Sequence, residues 1–301
     1  MRNYGGEKMN TNEIIEKLKG LDLSKYPFNE VQALINEFDS LKVVRLNLKP
    51  NTLITRVRRG RGYSKRKDVS YPPKEFCKKC QRATLPGQTM FYGTLSDSDA
   101  APLANRAIAL SECSTLTKQG IASRGIEHFT VSNWMVVKDI IVAAIVDDVT
   151  FESVRNNELL HSLKKIYCDL KTEPDFDEYA RFVAEEFSKV VENEFDYLIS
   201  AAVADAYVNR VKFDGIAYPS VRMGGQAGMN LALKADIADE RLALYRTAEM
   251  TLYKNGEKSL AVIDKTSDMQ SWNYDNTLQY ENIDMAAHIG VSALAELEEI
   301  N

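Results

Sequence analysis

The chain has 301 residues, 45% of them hydrophobic and 27% charged, with a formal net charge of -5. It is long enough to bury a sizeable core, and its overall charge excludes a general polyanion binder. Four cysteines (Cys77, Cys80, Cys113 and Cys168) in a chain of this length exclude a disulfide framework.

The N-terminal residues 1–20 contain no apolar h-region, so no secretory signal is expected. Residues 12–41 read as helices. "TNEIIEKLKGL" opens with capping candidates, and Phe28, Val31, Leu34, Ile35 and Phe38 recur at helical spacing. "VVRLNLKPNTLITRVR" alternates like strand, with a turn at Lys49, Pro50 and Asn51. Residues 59–88 are rich in Gly, Pro, Lys and Arg and read as a long loop, the kind that usually carries function. "TMFYG" (89–93) reads as a short strand. "AAPLANRAIALSECSTL" reads as a helix with Ala104, Ala107, Ile108 and Glu112 near one face, and "HFTVSNWMVV" as a strand. The most apolar run, "IIVAAIV" (140–146), is flanked by Lys138, Asp139, Asp147 and Asp148. It falls far short of the roughly 20 residues that a bilayer span needs. A reducing cytoplasm and no membrane contact are expected.

Two amphipathic helices are expected between Phe176 and Asn209, then strands at "DGIAYPSV" and "MNLAL". "LALYRTAEMTLYKNGEKSLAVID" reads as a hairpin with a type I′ turn at Asn255-Gly256. "SALAELEEIN" reads as an acidic helix or tail. Strands and helices mix without regular βαβ alternation, so the expected class is α+β. The expected division is an N-terminal helical extension over 1–44, a catalytic domain over 45–267 that includes the hairpin, and a tail over 268–301.

Charge is unevenly spread. Between Arg56 and Arg82 there are eleven Lys/Arg against Asp68 and Glu75. With Tyr63 and Tyr71 interleaved, this run fits a single-strand nucleic-acid binder. It equally fits a solvated loop, or a clamp in which Arg forks grip phosphate oxygens. Composition alone leaves the three near equal. "CKKC" (77–80) has the spacing of half a zinc site, but the other half is missing, and an incidental pair is the better reading. "MGGQAGM" carries Gly224, Gly225 and Gly228 without dinucleotide spacing and reads as a flexible turn. Ser220 stands outside any G-x-S-x-G elbow, and none of His128, His161 or His288 has a spacing that makes it a nucleophile's base. Glu112, at the apolar-to-polar margin of its helix, is a solvated residue on pattern alone; the other reading is an active-site acid set against the arginines.

Five ordered elements resemble one family. They are "ITRVR" with Arg56 and Arg58, "YPP" (71–73), "QRATLPGQTMFYGT" from Gln81 to Thr94, "AIALSECS" with Glu112, and "DGIAYPSVR" with Ser220. Their order and wording are similar to those of the RES domain, named for its Arg, Glu and Ser. The likeness spans about residues 45 to 235. Thr84 stands where the family usually has Asn, Gln81 where it has Gly, and "CKKC" is an insertion.

The resemblance implies an ADP-ribosyltransferase-like split β core with surrounding helices, beside the N-terminal helical extension. It also implies an NAD⁺-consuming enzyme that cleaves the nicotinamide–ribose bond, as a glycohydrolase, phosphorylase or ADP-ribosyltransferase of toxin–antitoxin type. On that reading Glu112, Arg56 and Ser220 are catalytic, and Arg56, Arg58, Arg82, Tyr92 and Ser220 bind NAD⁺. No metal is expected. The implied partners are NAD⁺ and a small antitoxin protein; nucleic acid is not expected, and homo-oligomerisation stays open. The rival readings are a nucleic-acid-binding module using residues 56–82 and an inactive RES-like scaffold that binds a partner protein.

Overall fold

A computed structural model of the protein describes residues 9–38, 41–95, 109–110, 113–153, 158–220, 229–268 and 277–283. The protein is α+β. Its strands are β1 (Val44–Leu48), β2 (Leu53–Arg59), β3 (Met90–Leu95), β4 (Arg124–Val136), β5 (Ile140–Ala144), β6 (Gly215–Pro219), β7 (Met229–Lys234), β8 (Leu242–Asn255), β9 (Lys258–Asp268) and β10 (Glu281–Asn282). Its described helices are α1 (Thr11–Lys19), α2 (Phe28–Glu37), α3 (Thr115–Lys118), α4 (Asp148–Ser153), α5 (Glu158–Leu170), α6 (Phe176–Ser188), α7 (Leu198–Asp205) and α8 (Ala235–Arg241). No helix among the described residues is long and apolar enough to cross a membrane.

The chain folds into two compact units that interleave along it. Unit 1 comprises residues 1–48, 72–91 and 140–238, and unit 2 comprises 49–71, 92–139 and 239–301.

Unit 1 holds the strand order β1-β5-β6-β7. β5 and β6 run parallel, while β1 and β7 pair antiparallel with their neighbours. The helices α1, α2, α6 and α7 belong to this unit. Asn10 caps α1 through a reciprocal box with Glu13, at 3.0 and 2.9 Å. Helix α6 is amphipathic and buries Phe176, Tyr179, Phe182, Val183 and Phe187. Helix α7 differs from its sequence reading. It is not amphipathic, because every residue from Leu198 to Ala204 is buried; a helix apolar all round sits inside a core. It continues into a π-helical turn over Ala206–Arg210. There Tyr207 donates to the Tyr179 hydroxyl at 2.9 Å within the core.

The stretch "DGIAYP" is built for the middle of a sheet. The Asp214 carboxylate accepts from the Ile141 amide at 2.8 Å, and its carbonyl accepts from Lys234 at 3.0 Å, so one residue ties three strands. A Cβ on Gly215 would lie 2.2 Å from the Ala232 carbonyl oxygen, so only glycine fits there. Ile216 and Ala217 are fully buried, and Tyr218 packs on Phe187 with ring centroids 5.3 Å apart.

Unit 2 holds the strand order β3-β2-β4-β8-β9-β10, all antiparallel among the described pairings. The expected hairpin is present as β8 and β9. Its turn differs from type I′: Asn255 pairs with Lys258, so Gly256 and Glu257 are the central residues. Gly256 alone has positive φ (64°), as a type II′ turn requires. One face of the sheet is apolar: Val57, Phe129, Val131, Met250 and Leu252 pack with Ala109 and Leu110 into one cluster. The other face carries Arg56 and Arg58 on β2, Thr130 and Ser132 on β4, and Thr247, Glu249 and Thr251 on β8. Apart from the two half-buried arginines, these residues are buried. In β9, Asp264 is the extra residue of a bulge between Ile263 and Lys265. The bulge brings its carboxylate to Thr251 Oγ1 at 2.7 Å and into an ion pair with Arg61.

Candidate functional site

The arginines of the basic run are anchored by unit 2 itself. β2 pairs with β4 over seven residues but with β3 over two, Ile54↔Leu95 and Thr55↔Thr94. β2 and β3 then part, and Arg56 stands at that parting. Its Nη1 donates to the Tyr92 carbonyl of β3 at 2.5 Å. The residue as a whole is half-buried, but its Nε is enclosed. Burial lowers its affinity for a proton to about 10, Cys113 and Tyr92 counteract that, and Arg58 adds to it. The group therefore stays a cation at neutral pH. Cys113 also donates its thiol hydrogen to the Val57 carbonyl, at 3.3 Å, beside the same parting.

Arg58 lies on the same face, stacks on the Tyr63 ring with 4.6 Å to its centroid, and bonds the Asp68 carbonyl. The remaining arginines of the run also meet protein acceptors. Arg59 pairs with Glu127, Arg61 with Asp264, and Arg66 bonds the Leu242 carbonyl at 3.1 Å while covering the Trp134 ring.

Arg82 belongs to unit 1. Its guanidinium bonds the carbonyls of Phe187 and Lys189 at the C-terminal end of α6 and covers the Tyr197 ring at 5.0 Å. A cation there satisfies carbonyls that a helix end leaves open. Ser220 also belongs to unit 1, directly after β6, and is 4% exposed. Thus Arg56, Arg58 and Tyr92 share one unit, while Arg82 and Ser220 share the other. Glu112 and the glycines of "MGGQAGM" lie outside the described residues. Cys77 and Cys80 are buried free thiols of unit 1, and burial pushes Cys80 up to about 11, with Glu194 adding to the effect. Among the described residues no group of three or more His, Cys, Asp or Glu is placed to hold a metal ion.

Glu127 is the site feature that motif reading missed. It is 7% exposed. It accepts from Ser114 Oγ at 2.5 Å, from the Thr115 amide at 3.1 Å and the Leu116 amide at 3.4 Å, and from Thr115 Oγ1 and Arg59. Burial alone would raise its proton affinity. The bonds from Ser114, Thr115 and Arg59 outweigh that and hold it at about 2. This permanent anion pins the start of α3, and with it the chain immediately after Glu112 and Cys113. A signal did exist: "EHFTV" alternates, so Glu127 falls on the same strand face as Phe129 and Val131.

Cavities among the described residues include one of about 160 Å³ in unit 1, lined by Thr11, Phe38, Lys42, Pro174, Asp175, Phe176 and Tyr179. It contains none of the residues expected to bind NAD⁺. No protein-family model and no curated protein sequence matches the chain.

Proposed function

We propose that the protein is an NAD⁺-consuming enzyme of RES type, with an ADP-ribosyltransferase-like arrangement around the parting of β2 and β3. The observation that carries this reading is local. Arg56, a half-buried cation with its Nε enclosed, is bonded to the Tyr92 backbone, and Cys113, the residue that follows Glu112 in the sequence, lies close enough to act on its charge. Arg56, Tyr92 and Cys113 therefore belong to one unit, and an arginine, an aromatic and an acid are the types that the chemistry asks for.

When the nicotinamide–ribose bond breaks, nicotinamide departs as a neutral base with the bonding pair, and the ribose carbon gains oxocarbenium character. Glu112 would stabilise that positive charge and accept a hydrogen bond from a ribose hydroxyl. Arg56, with Arg58 beside it, would grip the pyrophosphate. Tyr92 would wall the flat nicotinamide ring. Water, phosphate or a protein side chain then completes the ribose carbon. For Ser220 and Arg82 the reading rests on the resemblance alone, which makes Ser220 a hydrogen-bonding contact and not a nucleophile. The same resemblance implies a small antitoxin protein as partner.

Arg59, Arg61 and Arg66, which the NAD⁺ reading does not use, are engaged by the protein's own acceptors, and that weighs against the nucleic-acid reading, which needs those charges to face outward. The test is release of free nicotinamide from NAD⁺ by purified protein, with and without inorganic phosphate, beside Glu112→Ala and Arg56→Ala. Release that falls about a hundredfold or more in both variants is expected, and dependence on phosphate would name the acceptor. Release that survives Glu112→Ala would remove the acid from its role.

A further inference from the structure

The polar face of the unit 2 sheet has an unusual floor and a slight cover. Thr130, Ser132, Thr247, Thr251 and Ser267 are each at most 2% exposed, so a face lined by hydroxyls is buried where a core would be oily. Two layers lie over it. One is the loop after β2, which leaves the strand through Gly60 (φ 103°) and Gly62 (φ 78°). At both glycines a side chain would be strained. The Gly62 amide bonds the Glu249 carboxylate of the face at 2.8 Å, and the Asp68 carbonyl receives Arg58. The other layer is the segment 277–283. It is attached by Leu278 N to the Ser64 carbonyl at 2.7 Å, Ile283 N to the Asp264 carbonyl at 2.9 Å, a bridge between Thr277 and Lys65, and the short β10–β9 pairing. Leu278 is its one buried apolar side chain. Tyr280 lies near Thr247, Glu249 and Asp68, yet among the described residues its enclosed hydroxyl meets no partner in good hydrogen-bonding geometry.

We infer that residues 277–283 are a detachable strap that holds the glycine-hinged loop over residues 60–69 down on Arg58, and that lifting the strap opens the hydroxyl-lined face. A floor of hydroxyls takes up water readily when uncovered, whereas an oily floor would resist it. Among the described contacts, the strap is held by backbone bonds and one buried leucine, and the enclosed Tyr280 hydroxyl weakens it. The loop's glycines supply hinge points. The effect on turnover rests on the NAD⁺ reading, since Arg58 is part of that site; the movement itself does not.

The test uses the full chain. Lys65 and Thr277 are bridge partners on antiparallel segments, a pairing close enough for a disulfide. In the Lys65→Cys/Thr277→Cys double variant, oxidation should slow amide hydrogen exchange over 62–69 about tenfold, and dithiothreitol should restore it. Tyr280→Phe removes the enclosed hydroxyl and should slow exchange about threefold, whereas Leu278→Asp should speed it about tenfold, with the amides of β4 unchanged in both. Free nicotinamide is followed in parallel and should fall about tenfold in the oxidised form and recover on reduction. Exchange over 62–69 that ignores the disulfide, Tyr280→Phe and Leu278→Asp alike overturns the strap. Exchange that responds while no form releases nicotinamide supports the strap and removes the NAD⁺ reading.

Discussion

The two faces of the unit 2 sheet share the same strands and differ in what holds them. Val57, Phe129, Val131, Met250 and Leu252 make one face cohesive through packing. One residue along each strand, Arg56, Thr130, Ser132, Thr247, Glu249 and Thr251 make the other face cohesive through directed bonds. Packing has no direction and tolerates no holes, whereas hydroxyls and carboxylates need specific partners and accept water in their place. The first face is thus suited to permanence and the second to a surface that can be uncovered. Glu127 is the exception that sharpens the contrast. It sits on the apolar side of β4, beyond Phe129, where a carboxylate survives because donors surround it.

Mutations should separate the faces. Phe129→Ala empties a fully buried site, and urea unfolding should show a loss of about 3–5 kcal/mol. Glu127→Ala leaves the Ser114, Thr115 and Leu116 donors unpaired, with an expected loss of about 2–4 kcal/mol by the same measurement; Arg59 is half-exposed and adds little. On the other face, Thr130→Val keeps the shape and gives up a bond to the Gly60 carbonyl, at about 1 kcal/mol. Equal losses at Phe129 and Thr130 would break the comparison.

Acid provides the most selective test. Glu127 has a depressed proton affinity in the folded chain, so its contribution is present above its ordinary pKa of 4.5. That contribution is lost as pH falls from there toward about 2. Thermal melts of the native chain and Glu127→Gln should therefore differ most near neutrality and converge toward pH 2. A difference that persists at pH 2 would place the effect of Glu127 in shape and not in charge.

Much of the architecture was legible. Alternation marked β1 and β2, a glycine turn signal marked the β8–β9 hairpin, capping candidates marked α1, and apolar residues at helical spacing marked α2 and α6. Helices α4 and α8 were not read because they are short; α5 was passed over although Leu163, Ile166, Tyr167 and Leu170 recur at helical spacing. At the candidate site, motif order singled out Arg56 and Tyr92, which the fold brings into hydrogen-bonding contact. It could not show that Arg82 ends a helix, since a guanidinium suits carbonyls and phosphates alike.

The amino-acid order by itself determined the α+β class, the neighbourhood of each turn and the side of each strand that faces a core. Those properties follow from local periodicity and from backbone freedom at residues such as Gly256. Tertiary structure alone decided which charges are occupied by neighbours and which strands part. Arg58 and Arg59 are adjacent in sequence, yet alternation sends one to the Tyr63 ring and the Asp68 carbonyl and the other to the Glu127 carboxylate. A pair interaction depends on distance through space, and residues far apart in the chain set that distance only once it has folded.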